Sequence, residues 1–396
     1  MIAAALATCS VESRTEQQAA KKAPWAEFGV SVATAPGFIF VAASSGSSGQ
    51  RGPGIIQVFE RRDSAWVPTS VLAAPAATVE DTFGVSMAVD GNTLVVGAQF
   101  ADARGKDSGL AYVFERRGEA WHQAAVLSAN DAEPDDQFGL TVSVSGETIA
   151  VGARLEDSRE RDAGATYLFH RRGGTWQQAA KLTASDAVRG NLFGRVSIDK
   201  DWMVVSADLN DDRGDAAGKA YAFENRGGVW TEVASFTASD AAAGYEVGIS
   251  LALSGDIAVF GAIGVERGLG AAYVFERRAR EWIQAAKLTA NDETSRLFGS
   301  AVSVLADLVV VGAPGDRKGI GAAYVFERRA GAWTQAARLT ASDEAPLRLF
   351  GHSVAASGNT IVVGALGNGD GTHPGAAYVF ERNNGTWSEA ARLVRP

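Results

Sequence analysis

The chain has 396 residues, 46% of them hydrophobic and 21% charged, with 45 glycines, 10 prolines and a formal net charge of −9. That balance is ordinary for a folded soluble protein, and the acidic excess argues against a nucleic-acid partner, which would want a basic stripe. No stretch approaches the roughly eighteen apolar residues of a membrane-spanning helix, and the single cysteine, Cys9, excludes any disulfide within the chain.

The first element is the N-terminal segment MIAAALATCSVESRTEQQAAKKAP, residues 1–24. Leu6-Ala7-Thr8-Cys9 resembles a bacterial lipobox, in which the chain is cut before a cysteine that then carries lipid. The polar stretch 10–24 reads as a tether. The expectation is therefore a signal remnant and tether over 1–24, lipidation at Cys9, and a protein secreted or lipid-anchored at the bacterial envelope.

From residue 25 to 396 a unit of about fifty-five residues is written seven times, which marks one repeat array. Phe-Gly recurs at Phe28, Phe83, Phe138, Phe193, Phe298 and Phe350, with Val247-Gly248 in the remaining copy. Val-Gly-Ala stands at Val96, Val151, Val311 and Val363, and variants of it begin at Val41, Val205 and Phe260. Tyr-Val-Phe-Glu stands at Tyr112, Tyr273, Tyr324 and Tyr378, with variants at Ile56, Tyr167 and Tyr221. A tryptophan follows each time, at Trp66, Trp121, Trp176, Trp230, Trp282, Trp333 and Trp387.

Each unit contains four short runs rich in Val, Ile, Phe and Tyr, bounded by Gly, Asn, Asp and Ser, which are strand signals. In the second unit the runs predict strands over 85–89, 93–98, 110–115 and 121–128. The turns joining strands one to two and three to four are short enough to force antiparallel hairpins. A lone four-stranded meander would expose its edge and both apolar faces. Seven of them stacked around an axis bury those faces, which predicts an all-β, seven-bladed β-propeller of four-stranded antiparallel blades. No strand is held back for a mixed closing blade, so the ring is expected to close by side-chain packing.

These markers resemble the FG-GAP repeat, named for its Phe-Gly and Gly-Ala-Pro elements. Only the sixth unit spells the second in full, at Gly312-Ala313-Pro314. The resemblance covers about 25–396 and implies a propeller like the head of integrin α-subunits, used for binding and adhesion. Integrin-type repeats often carry a calcium loop between strands one and two. Here that place holds turns such as Asp90-Gly91-Asn92 and Ser145-Gly146-Glu147, too short to supply the six to eight oxygens that calcium needs. That function is not carried over, and no cofactor is expected.

The meander places connections 2–3 and 4–1 on one face of the disc. They are the longer and more variable loops, and long loops on a rigid scaffold are where binding sits. The 4–1 loops are acidic, with Asp131, Asp135 and Asp136 among others, and the 2–3 loops add Asp157 and Asp162. The stretch 208–215 gathers Asp208, Asn210, Asp211, Asp212 and Asp215 and spells Arg213-Gly214-Asp215, an integrin-ligand tripeptide. Asp208, Asn210, Asp212 and Asp215 are the candidate Ca2+ ligands, in a register that does not match a calcium loop. Solvated loops kept soluble by charge are the alternative to a negative face that attracts a protein or glycan ligand.

Catalytic signals are few. His122, His170, His352 and His373 occupy unrelated repeat positions, and no nucleophile elbow or phosphate loop is present. The expectation is a monomeric, non-enzymatic binding or adhesion module. A structural subunit of a larger surface assembly is the alternative, and a glycan-acting enzyme using acids such as Asp135 and Asp136 is a third.

Overall fold

The computed structural model describes residues 27–44, 53–74, 81–292, 295–315, 319–343, 349–368 and 373–395. The 1–24 segment with Cys9 lies outside the described residues, as do the loop acids Glu80, Glu293, Asp316 and Glu344. The described residues form seven four-stranded sheets, each made of four consecutive strands paired antiparallel. The blades span 27–72, 87–127, 138–182, 193–236, 250–288, 301–339 and 350–393. In the third blade the strands are Phe138–Ser145, Thr148–Ala153, Ala165–Arg172 and Thr175–Leu182.

In the second blade the strands run Met87–Asp90, Thr93–Ala98, Leu110–Arg117 and Ala120–Leu127. The first begins two residues later than expected because Thr82 and Gly84 both take positive φ and the Val85 amide donates to the Thr82 carbonyl, a turn rather than a ladder. The third runs two residues further, since the Arg116 amide donates to the Asn92 carbonyl across the hairpin ends. Pairing also corrects one marker. Val96 lies opposite Tyr112, and the equivalent Val41 lies opposite Gln57, so Gln57 rather than Ile56 holds the tyrosine position of the first blade.

Burial follows from stacking. Every residue of Thr93–Ala98 is buried, because the second strand has a neighbouring blade on each side. The fourth strand, at the rim, alternates between exposed and half-buried, as in Thr175–Leu182. Its tryptophan covers the junction between blades rather than an open edge. Trp121 packs edge-on against Phe38 and Phe40 of the first blade, with centroids 6.0 and 5.1 Å away.

The two glycine markers are halves of one contact. A Cβ on Gly97 would lie 1.9 Å from the Gly139 carbonyl oxygen of the next blade. Gly139 itself has φ of 96°, a region that side chains disfavour, and a Cβ there would lie 2.2 Å from the Leu110 carbonyl. The glycine of Phe-Gly thus serves close blade approach as well as the turn. A hydroxyl fixes the same junction, for Ser86 Oγ donates to the Gly139 carbonyl at 3.0 Å, and Thr141 and Ser250 repeat the bond to Gly194 and Gly299.

Two irregular copies are compensated locally. The fourth blade has Val196 where five others carry that hydroxyl, and Ser206 where five others carry the glycine of Val-Gly-Ala. Ser206 Oγ then donates to the Gly248 carbonyl at 2.7 Å and restores the bond. The fifth blade has buried Val247 in place of the marker phenylalanine. The lost volume is filled by Phe236, which replaces the leucine that ends other fourth strands and packs 4.7 Å from Phe275 and 5.7 Å from Phe260.

A ring of ion pairs runs around the opposite face. Glu115 pairs with Arg171 of the next blade at 3.0 Å, and Glu327 with Arg382 at 2.8 Å. Glu60–Arg116 and Glu276–Arg328 repeat the arrangement, and Glu381–Arg61 closes it from the last blade to the first. Between the third and fourth blades both partners change together, to His170 and Asn225, and between the fourth and fifth Glu224 pairs with Arg226 and Arg277 with Asp256 instead.

Candidate functional site

Among the described residues the 2–3 and 4–1 connections lie on one face, and in three neighbouring copies they zip together. In the second blade the amides of Asp135, Gln137 and Phe138 donate to the carbonyls of Lys106, Asp107 and Ser108. Gly190, Leu192 and Phe193 repeat this on Arg161, Asp162 and Ala163, and Gly244, Glu246 and Val247 on Asp215, Ala216 and Ala217. The loops are therefore held as pairs, giving the face a fixed backbone on which side chains differ from blade to blade.

Many of the loop acids serve this architecture. One acid in the 4–1 connection of each of several blades clamps the next blade. Lys181 Nζ donates to Asp131 at 2.7 Å, and Lys287 to Asp240 at 2.8 Å. The hydroxyls of Tyr221, Tyr324 and Tyr378 donate to Asp186, Asp292 and Asp343 at 2.8, 2.6 and 2.6 Å. Burial would raise the Asp186 carboxyl, but hydrogen bonds from Lys219 and Tyr221 outweigh it and hold it below the usual range. A second recurring acid shapes the 2–3 loop. Asp102, Asp157 and Asp211 accept the amides of Asp107, Asp162 and Ala216, each of which has positive φ.

Asp135 and Asp136 point apart. Asp135 is exposed, whereas Asp136 is 3% exposed and accepts the Glu133 amide at 2.8 Å. Burial first, with the nearby carboxylates of Glu156, Glu133 and Asp157, raises the Asp136 carboxyl to about 6. Asp162 pairs with Arg161 at 3.3 Å, and Asp215 is exposed.

The stretch 208–215 folds back on itself instead of converging on a point. Asp208 is buried beside Arg195, with Oδ1 3.6 Å from Nε. Asn210 is buried and its Oδ1 accepts the Asp212 amide at 3.0 Å, while the Asp212 carboxylate pairs with Lys219. Among the described residues no three His, Cys, Asp or Glu side chains stand close enough to share an ion. Asn210 and Asp212 do meet in a recess of about 290 Å³ between this loop and the end of the fourth strand, with Arg213, Lys219, Phe236 and Thr237. Phe236 stands where other copies have leucine, so an aromatic edge stands here among polar groups.

The second cavity is the axis of the ring, about 560 Å³, lined by the first strands of all seven blades. Val30, Val85, Leu140, Arg195, Ile249, Ser300 and His352 follow Phe-Gly or its variant in the seven copies, so Arg195 is the one ionised member of this set. His352 is kept neutral by burial. Aligning the copies position by position exposes Arg195. Reading the loops for acids does not.

The FG-GAP repeat model matches residues 66–114, 121–169, 176–223, 230–275, 282–326 and 333–380. Each match runs from the tryptophan of one blade to the third-strand phenylalanine of the next. There are six matches for seven blades because the seventh junction joins the two ends of the chain and has no linear equivalent. Integrin alpha-11 of Homo sapiens is 27% identical over 138 residues, covering 30% of this chain and 11% of that protein, so the chain spans about a tenth of that relative. Among solved structures, a candidate 6-phosphogluconolactonase from Bacteroides uniformis aligns with TM-score 0.57 and 12% identity, over 89% of this chain and 94% of that one. A protein from Lactobacillus plantarum aligns with TM-score 0.59 and 15% identity, over 90% and 96%. At such identities the likeness is one of fold.

Proposed function

The chain belongs to the FG-GAP repeat family, and on that footing we propose that it is a non-enzymatic binding module whose loop face docks a protein or glycan ligand outside the cytoplasm. The observation that carries this reading is the recess of the fourth blade. Asn210, Asp212, Arg213 and Lys219 offer acceptors and donors beside the Phe236 ring, on a loop whose backbone is locked to its neighbour. A few placed polar groups around an aromatic surface suit hydroxyl-rich or polar ligands. Adhesion is the biological use that fits such a face, and lipidation of Cys9 is the proposed anchor.

A binder is favoured over an enzyme because many of the described loop acids are committed to clamps and turns. The adjacent pair that hydrolytic chemistry would need, Asp135 and Asp136, diverges. The test is a glycan array together with a pull-down from envelope extract, comparing the parent with Arg213→Glu on the loop face and Arg172→Glu on the opposite face. Binding lost only in Arg213→Glu supports the reading. Binding lost only in Arg172→Glu, or a glycosidase or lactonase activity abolished by Asp136→Asn, contradicts it.

A further inference from the structure

We propose that the axial channel of the ring binds a small aliphatic carboxylate, with its chain against the first strands and its charged end on Arg195.

The cavity is of ligand size, at about 560 Å³. Its wall is aliphatic, from Val30, Val85, Met87, Leu140, Ile249 and Val302 among others. The hydroxyls along it are largely spent on the ring itself. Ser86, Thr141, Ser250 and Ser353 donate to carbonyls of the next blade, and Ser300 donates to the Leu297 carbonyl. An apolar ligand body therefore displaces little hydrogen bonding from the wall.

Among the described residues Arg195 is the charged side chain that lines this space, and no carboxylate lines it. Arg154 directly follows the second strand of the preceding blade, and its Cα would lie 3.4 Å from a Cβ placed on Gly194, so the two arginines stand on adjacent backbones. The Nε of each is buried and has no hydrogen-bond partner. A guanidinium carries five donors in a planar fork that matches a carboxylate. Buried donors of this kind are normally satisfied, and leaving them unpaired is costly.

Two acids lie near the pair, Asp208 directly after the second strand of the fourth blade and Glu246 just before the fifth. Asp208 reaches Arg195 only at 3.6 Å, an ion pair beyond hydrogen-bond distance. Glu246 is pushed up by burial and by Asp208. On the other side of the axis the lining residues are Leu297, Pro314 and Leu349, so the channel has one cationic and one apolar flank. That pairing fits an anion with a hydrocarbon body better than a sugar or a metal ion. This site is separate from the recess of the fourth blade and does not depend on any partner docking there.

The experiment is calorimetric titration of the full chain with decanoate, decanol and acetate. Decanoate is expected to bind, with decanol weaker by roughly tenfold or more for loss of the charge-assisted hydrogen bonds, and acetate weaker still for loss of apolar burial. Arg195→Met is expected to abolish the preference for decanoate over decanol, and Arg195→Lys to keep part of it. If Arg195→Met fails to fold, Arg195→Gln serves the same purpose. Equal affinity for decanoate and decanol in the parent overturns the proposal. So does a preference that survives in the arginine variants, acetate binding as tightly as decanoate, or no decanoate binding at about millimolar concentration.

Discussion

The hydroxyl of Ser353, in the last blade, donates to the carbonyl of Gly29, in the first, at 2.9 Å. It is the same bond that Ser86 makes to Gly139 between the second and third blades, at 3.0 Å. Beside it, a Cβ on Gly364 would lie 2.2 Å from the Gly29 oxygen, as one on Gly97 would lie 1.9 Å from Gly139. The ends of the chain are thus joined by the contact that joins internal blades, reinforced by Phe28, Val41, Val362 and Val379 in one buried cluster.

If the closing junction is equivalent to an internal one, Gly364→Ala and Gly97→Ala lower stability by similar amounts, on the order of 2 kcal/mol or more each, because the backbone must shift to admit the methyl group. Ser353→Ala costs less, about 1 kcal/mol for one hydrogen bond. Thermal melting measures all three. A harmless Gly364→Ala beside a damaging Gly97→Ala would mean that the ends are not closed in this way.

Phe236 and Val247 are a volume exchange across one junction. Phe236→Leu alone leaves a void and is expected to cost about 1–2 kcal/mol. Val247→Phe alone overpacks and costs about 1–3 kcal/mol. Together they restore the pattern of the other copies, so the double variant is expected to recover at least about 1 kcal/mol relative to the sum. Additive costs in a denaturant cycle would remove the exchange as an explanation for either residue.

Asp136 gives a pH dependence of definite sign. Its folded value of about 6 lies above the ordinary 3.8, so the fold prefers the protonated carboxyl. Ionisation therefore costs stability, fully so above about pH 6 and not at all well below pH 4. Asp136→Asn keeps the acceptor for the Glu133 amide and removes the charge. It is expected to stabilise the protein near pH 7.5 by about 1–3 kcal/mol and to lose that advantage near pH 3.5. Melting of parent and variant at the two pH values decides it. An advantage that grows on acidification reverses the sign and sinks the account.

Calcium removal is expected to leave the melting midpoint unchanged, because Asp208, Asn210 and Asp212 are turned to Arg195, the chain's own amide and Lys219. A ligand that binds only the folded state raises its stability by mass action, so a midpoint lowered by chelator would reveal a bound ion that this arrangement does not hold.

The scaffold was legible in the sequence because its markers are periodic. Phe138, Gly139, Val151 and Tyr167 recur for packing reasons, and stacking demands the same residues at every blade. The candidate sites were less legible, because the same acids recur for a structural reason that only the third dimension shows. Asp131 and Asp186 look like a negative face in a list of residues, but each is held by a lysine of the next blade, fifty and thirty-three positions along the chain. Asp135 and Asp136 look like a pair, but a positive φ of 69° at Asp135 sends one to solvent and leaves the other inside. Arg195 and Phe236 were overlooked for the opposite reason, since each is a single departure inside an otherwise regular strand and carries no motif of its own.

The central claim is that the loop face of this ring is its binding surface, and crosslinking of the full chain to its ligand tests it most directly. With a photo-reactive residue placed in turn at positions 213, 215 and 237 on the loop face and at 63, 118 and 172 on the opposite face, crosslinks are expected from the first set alone. Crosslinks confined to the second set would contradict the account.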